Sequence, residues 1–252
     1  MRPSTVLAAG LAVISLTGVS SAAVLTVDNG TWLGDFSATN PTPINLTTEG
    51  SLDWIHWGMG SDGALSNTGF NRKSTGGSRI SDFTFLPSSR SAFPNNPVAW
   101  LYTDGTPKNS VDATNGSDRA GPETSYAVTG MRDPTFTVQA STTELRRLKV
   151  YVGMSEVTNP DNGIGRIEVS LPGPVTANSA LVNGNLFGTI NTAGDNFVFT
   201  IDFLANNPGD VLTVKWTQYG KYLNAASLQV VPEPGTIGLL AGLSGLLLTR
   251  RR

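Results

Sequence analysis

The feature that most constrains the fold is the alternation of apolar and polar residues along the middle of the chain. A period of two places successive side chains on opposite faces of a strand, so each run predicts a strand with one buried face. In the longest run every second residue is large and apolar: Phe197, Phe199, Ile201 and Phe203. Shorter runs with the same alternation occupy residues 81–86, 135–138, 148–152, 167–171, 212–216 and 228–230.

Turn residues separate these runs and indicate the fold class. Clusters of Asn, Asp, Pro and Gly lie at residues 28–30, 159–163, 183–185 and 206–209. Short strands at a spacing of roughly 8–12 residues predict an all-β sandwich, in which two sheets bury their apolar faces against each other. The stretch between the two ends of the chain is long for an immunoglobulin-like domain of about 100 residues. We therefore expect a jelly-roll-like two-sheet sandwich.

Composition narrows the classes of function. The chain has no cysteine, a net charge of −2 and only 14% charged residues, without a basic run. Stability must therefore come from packing, hydrogen bonds or a metal ion, and nucleic acid is not an expected partner.

The front of the chain has the pattern of a secretory signal peptide. Arg2 supplies a basic start, residues 6–19 are mostly apolar, and small residues occupy positions 20–23. Such a leader is removed on export and does not belong to the folded body. We expect a leader at 1–23, a β-sandwich body at 24–231 and a sorting signal at 232–252.

The other end of the chain combines a hinge, a short apolar segment and a basic stop. In order these are Val231, Pro232, Glu233 and Pro234, then the apolar run 235–249, then Arg250, Arg251 and Arg252. The prolines exclude a regular helix or strand through the hinge. A helix over 236–249 is about 21 Å long, against a hydrocarbon core of about 30 Å. The pattern predicts a barely spanning transmembrane helix with cytoplasmic arginines and an outside body.

This ordered combination resembles the PEP-CTERM sorting proteins of Gram-negative bacteria. The resemblance covers only residues 231–252 and implies recognition by an exosortase, a membrane cysteine protease that cuts near the Pro-Glu-Pro element. It also implies an inner-membrane-anchored intermediate, a final place at the cell surface or in the extracellular matrix, and a link to extracellular polysaccharide. It assigns no activity to the body, because the bodies of this group vary widely.

Tryptophan and histidine mark the candidate binding residues. Residues 52–58 contain Trp54, His56 and Trp57, and we expect Trp54 and His56 on one face of a strand with Trp57 on the other. One interpretation is a sugar-stacking platform, to which Trp32 and Trp100 would contribute. The other is a core strand whose Asp and His satisfy buried loop amides, and we favour it because tryptophan is highly buried on average.

The body also resembles secreted bacterial β domains whose layout is similar to galactose-binding-like sandwiches. Three segments carry this resemblance: Asn-Leu-Thr at 45–47, Asp-Trp-Ile-His-Trp-Gly at 53–58 and Leu-Lys-Val-Tyr-Val-Gly at 148–153. No residue roles follow from it.

The residues present exclude several chemistries. One histidine and no cysteine exclude a cysteine nucleophile and a zinc site with several histidines, and no nucleophile-elbow pattern occurs. A glycosidase would need two carboxylates about 5–10 Å apart, and nothing singles out a pair among the candidates Asp53, Asp82, Asp104, Asp133, Glu156, Glu168 and Asp202. Structural calcium could use oxygen ligands at 112–118 or 159–163, although Asn and Asp at such positions usually serve turns.

Three functions follow in order of preference. The first is a non-enzymatic surface or matrix protein sorted by an exosortase and associated with extracellular polysaccharide, without a cofactor. The second is a carbohydrate-binding module that uses exposed tryptophans. The third is a secreted glycoside hydrolase.

Overall fold

The computed structural model describes residues 23–35, 43–59, 65–84, 90–93, 98–110, 121–124, 134–154, 164–173, 175–178, 182–183, 195–217 and 221–232. These residues are mostly strand, which confirms the all-β class. Almost all of the expected leader, Glu233, Pro234, the apolar run and Arg250 to Arg252 lie outside them. Within the described ranges, no helix combines the length and apolarity required to cross a bilayer.

The described residues form one short helix, α1 (Leu46–Glu49), and seventeen strands. The strands are β1 (Val24–Val27), β2 (Thr31–Asp35), β3 (Ile44–Asn45), β4 (Asp53–Met59), β5 (Leu65–Lys73), β6 (Arg90–Phe93), β7 (Trp100–Leu101), β8 (Gly105–Thr106), β9 (Gly121–Thr124), β10 (Thr135–Gln139), β11 (Arg146–Met154), β12 (Ile164–Ser170), β13 (Thr176–Asn178), β14 (Val182–Asn183), β15 (Asp195–Leu204), β16 (Val211–Thr217) and β17 (Lys221–Val230).

Two antiparallel sheets make the sandwich. The larger sheet has the strand order β1-β15-β11-β17-β4-β5-β8, with β2, β6 and β9 paired at its margins. The smaller sheet has the order β10-β16-β12-β13, with β14 paired to β12. From β10 to β12 and from β15 to β17, successive strands alternate between the two sheets. The alternation brings the apolar faces of the two sheets together.

The inter-sheet core lies between these faces. Its residues come from the runs that alternate with period two, and the stripe of β15 is fully buried in it. The buried members of the inter-sheet core are Ile55, Trp57, Ile80, Phe83, Phe136, Val138, Leu148, Val150, Val152, Ile167, Val169, Leu171, Phe197, Phe199, Ile201, Phe203, Leu212, Val214, Trp216, Leu223, Ala226 and Leu228.

A second apolar cluster, which we call the outer cluster, covers the opposite face of the larger sheet. Its buried residues are Leu46, Trp54, Val98, Trp100, Tyr102, Tyr151 and Ala225. Helix α1 and the short parallel pair β3–β7 supply part of this cover. The larger sheet therefore has apolar packing on both faces, a third layer that the expected two-sheet arrangement did not include.

The strand expected at 81–86 is wrong for the residues that the structure describes there. Ile80 and Thr84 each make one isolated bridge to β10, and no continuous ladder joins them. The Ser81 and Thr84 amides donate to carbonyls of β10. Side chains take the amides between and beside them: the carboxylate of Asp82 accepts from the Phe83 amide at 2.9 Å, and that of Asp53 on β4 accepts from the Ile80 amide at 3.0 Å. Such bonds compete with a ladder. Phe83 is nevertheless buried in the inter-sheet core.

Candidate functional site

The tryptophan-rich strand β4 packs on both of its faces. Trp57 points into the inter-sheet core, where its ring centroid lies 5.2 Å from that of Phe136. Trp54 points into the outer cluster, and its ring centroid is 4.5 Å from that of Tyr102. The expected division of the strand into two faces is confirmed, and both faces are buried.

Four of the five predicted sugar-contacting residues have no accessible surface. Trp54, His56, Trp57 and Trp100 are each 0% exposed. The imidazole of His56 lies between aromatic rings, with centroids at 5.1 Å from Trp100 and 6.4 Å from Tyr102. None of these rings can stack on a sugar in this conformation, and their placement agrees with the core interpretation. Trp32 on β2 differs, since it is 42% exposed.

Asp53 at the start of β4 serves the backbone. Its carboxylate accepts hydrogen bonds from the Trp54 amide at 2.9 Å and the Ile80 amide at 3.0 Å. Burial raises the pKa of Asp53 above its ordinary value, while the Ile80 amide opposes the rise. A Cβ on Gly76 would lie 2.2 Å from Oδ1 of Asp53, so this close approach requires glycine. The carboxylate is thus enclosed as a structural acceptor.

Asp104 joins three separate elements beside the outer cluster. Its carboxylate accepts from Thr47 Oγ1 at 2.6 Å, from Trp54 Nε1 at 3.0 Å and from Lys73 Nζ at 2.5 Å. Burial alone would raise the pKa of Asp104, but the hydrogen bonds from Lys73, Thr47 and Trp54 hold it below its ordinary value. These bonds connect α1, β4 and β5. We call this group of bonds the lock at Asp104, because it fixes these three elements relative to one another.

The three segments that resemble galactose-binding-like domains meet in the outer cluster. Each contributes one buried side chain: Leu46, Trp54 and Tyr151. The Tyr151 hydroxyl donates to Glu49 of α1, which also accepts from Lys149 Nζ at 2.8 Å. Burial and the charge of Glu49 both raise the pKa of Tyr151, so its hydroxyl stays protonated. Two of these segments are strands of the larger sheet, β4 and β11, and the third belongs to the layer that covers it.

In the described part of the chain, one surface that can take an external ligand is a groove on the solvent face of the smaller sheet. We call it the polar groove, and it has a volume of about 380 Å³. Seven of the eight residues that line it have hydroxyl, amide or charged side chains; the lining residues are Thr135, Glu168, Val169, Ser170, Thr176, Asn178, Thr213 and Lys215. These polar residues alternate with the inter-sheet core residues of β10, β12 and β16.

Charge in the polar groove is centred on Glu168. Arg166 donates to Glu168 from Nε at 2.9 Å and from Nη2 at 2.5 Å. On the neighbouring strand, Lys215 Nζ lies 3.5 Å from the same carboxylate. Arg166 lies beside the groove and Lys215 lines it, so these three side chains together carry one net positive charge. Such a surface can donate hydrogen bonds to hydroxyl and carboxylate oxygens of a ligand.

The arrangement that a glycosidase needs is not formed by the lining of the polar groove. Glu168 is the single carboxylate among the lining residues. Of the other described candidates, Asp53 and Asp104 are structural acceptors, and Asp202 binds Arg147 in a bidentate pair at 2.7 and 2.8 Å. Asp133 and Glu156 lie outside the described residues.

Metal ligands do not cluster in the described part of the chain, where no group of three or more His, Asp or Glu side chains could hold an ion. The two loops proposed for calcium, 112–118 and 159–163, lie outside that part.

No protein-family model matches this chain, and no curated protein sequence matches it. The site must therefore be interpreted from its own geometry. The sequence did not single out Lys73, which binds Asp104, or Tyr102, which binds Asn71. Each pair is 31 positions apart, and no local pattern marks such contacts. The sequence did indicate the polar residues of the groove, which lie on the polar sides of the runs at 167–171 and 212–216. It did not indicate that β12 pairs with β16, which brings those residues together.

Proposed function

We propose that this protein is an exported, non-enzymatic surface or matrix protein that an exosortase sorts and cleaves. The observation that carries the proposal is where the last described strand ends. Strand β17 finishes at Val230, the Val231 amide donates to the Leu145 carbonyl at 2.8 Å, and Pro232 is already exposed. The hinge thus begins directly after the last strand that the structure describes. A cut near Glu233 would remove no strand of the body.

We also propose that the sandwich is a jelly roll. Eight strands support this assignment, because β4-β17-β11-β15 in the larger sheet faces β10-β16-β12-β13 in the smaller one. Two four-stranded sheets whose strands alternate along the chain are the arrangement of a double Greek key.

The sorting step is tested by the mass of the C-terminus. The protein is expressed in a host with its exosortase and in the same host without it, and surface-exposed protein is digested and analysed by mass spectrometry. The proposal expects C-termini near Glu233 only when the enzyme is present. A Pro234→Ala variant tests the motif, and a Thr143→Ala variant in the body is the matched control. Surface protein that retains Arg252 in every sample would contradict the proposal.

A second function, polysaccharide binding at the polar groove, is favoured by the hydroxyl, amide and cationic lining described above. Exported matrix proteins meet long polyhydroxylated chains, and an open groove on a sheet admits a chain without a closed pocket. The alternative contact is the exposed ring of Trp32. The two placements predict different sensitive residues, so they can be separated.

Polysaccharide binding is tested by affinity electrophoresis with the producer's own extracellular polysaccharide. Lys215→Ala should weaken retardation if the polar groove binds, and Trp32→Ala should do so if the ring stacks. Lys149→Ala is the matched control, because Lys149 also pairs with a glutamate and is similarly exposed. Equal retardation of the wild type and both test variants, or no retardation of any, would reject this function.

A further inference from the structure

Both termini of the body lie at the same end of the sandwich. Val24 on β1 pairs with Leu204, the last residue of β15. Arg146 at the start of β11 pairs with Phe203 on one side and with Val230 on the other. We call this end the exit end; it contains Val24, residues 140–145, residues 205–210 and Val231. Three strand spacings separate the two termini, which is about 14 Å.

The tether between the body and the apolar run is short. Four residues lead from Pro232 to Thr236, where the apolar helix is expected to begin. Even fully extended, they reach about 14 Å. The exit end therefore cannot move farther than this from the membrane while the tail is inserted. Strand β11 runs about 27 Å away from the exit end.

Most charges at or beside the exit end are arranged in internal pairs. Arg147 makes its bidentate pair with Asp202, and Arg146 lies 3.4 Å from Glu144. The Asp210 carboxylate accepts from the Asn207 amide at 3.1 Å. Among its described residues, the exit end therefore has no cluster of cations that would bind anionic lipid. Two of the three large apolar side chains that are exposed in the described ranges, Val24 and Val211, also lie at this end.

We propose that the exit end faces the membrane in the sorting intermediate, with the opposite end of the sandwich directed outward. The partner is a lipid surface at the outer side of the inner membrane. Before the leader is removed, the two expected membrane segments enter the body at the same end, so neither has to run along the sandwich. The hinge is then held between the exit end and the lipid, where a membrane protease acts. This inference rests on the proposed function, because it requires the tail to insert.

Thiol labelling provides the test, because the chain has no native cysteine. Asn206→Cys places a fluorophore at the exit end, and Thr31→Cys places one on an exposed site opposite Val198. The full chain is reconstituted into phosphatidylcholine vesicles that contain a headgroup-linked nitroxide lipid. Quenching at Asn206→Cys should be about twofold stronger or more, because Thr31 lies about 20 Å farther along the strands. Added salt should leave this ratio unchanged.

Two results would overturn the inference, and they have different meanings. If the chain floats with the vesicles but Thr31→Cys is quenched as strongly as Asn206→Cys, the orientation is wrong and the anchor stands. If the chain does not float with the vesicles, the anchor of the proposed function fails and the orientation fails with it.

Discussion

The inter-sheet core and the outer cluster lie on opposite faces of the same sheet, and they are built by different means. Most of the inter-sheet core comes from regular strands whose apolar side chains pack together, and Ile80, Phe83 and Leu171 lie outside those strands. The outer cluster has seven buried residues, four of them aromatic, closed by one helical turn and two-residue strands. Such short segments contribute little of their own stability, so hydrogen bonds to Asp104 and Glu49 must hold them on the sheet. The inter-sheet core thus follows from the alternation of apolar residues along the strands, whereas the outer cluster depends on particular side-chain contacts.

The largest effects are expected from two substitutions on β4, one in each core. Trp57→Ala empties part of the inter-sheet core and should lower the free energy of unfolding by about 3–5 kcal/mol. Trp54→Ala should instead release the outer cluster locally. Hydrogen exchange should then speed up at residues 43–50 and 98–106 while β11 and β15 keep their protection. Equal loss of protection in all these segments would show that the two cores form one cooperative unit.

A smaller effect is expected from the lock at Asp104. Asp104→Asn leaves the Lys73 ammonium, whose side chain is 10% exposed, without its charged partner. The free energy of unfolding should fall by about 2 kcal/mol in urea titrations, less than for a fully buried pair because Asp104 is partly exposed. Asp202→Asn is the matched control, and breaking its exposed pair with Arg147 should cost about 0.5 kcal/mol. Similar losses in both variants would contradict the special role of Asp104.

The smallest expected effect is on how the free energy of unfolding changes as the pH is lowered. The folded pKa of Asp104 lies below the ordinary value of 3.8. Its contribution is therefore present above that value and is lost as the pH falls through the folded pKa. The pKa of Asp53 is raised instead of lowered, so its effect on stability has the opposite pH dependence. The contribution of Asp53 to the free energy of unfolding is present below pH 3.8 and is lost as the pH rises through its folded pKa. Asp104→Asn should thus reduce the loss of stability on acidification, on the order of 0.5 kcal/mol.

The measurement for this prediction is the free energy of unfolding as a function of pH, from neutral pH to below 3.8. Asp53→Asn is the opposing control and should make the acid loss steeper. A steeper acid loss in Asp104→Asn would reverse the assigned sign.

Several parts of this fold could be predicted from the sequence because they depend on local pattern. The stripe of β15 and the two faces of β4 follow from the period of two and from burial. The run at 81–86 has the same period, yet Asp82 takes the Phe83 amide and Asp53 takes the amide of the adjacent Ile80, so only isolated bridges to β10 form. Alternation alone cannot show that competition.

The candidate site was less predictable because it depends on register and long-range contacts. Thr47 and Asp104 are 57 residues apart, and no periodicity connects them. Glu168 and Lys215 meet only because β12 and β16 pair in one particular register. The tryptophans were correctly singled out as unusual, but their identity alone could not distinguish buried rings from a binding platform.

The central claim is that residues 24–231 form a complete folding unit, to which the proposed sorting signal at 232–252 is attached. Urea unfolding of the chain truncated after Pro232, followed by circular dichroism and tryptophan fluorescence, tests it most directly. The account predicts one cooperative transition with a β-type spectrum and the fluorescence of buried tryptophans in the folded state. A truncated chain that shows no cooperative transition, or that has exposed tryptophans before urea is added, would contradict it.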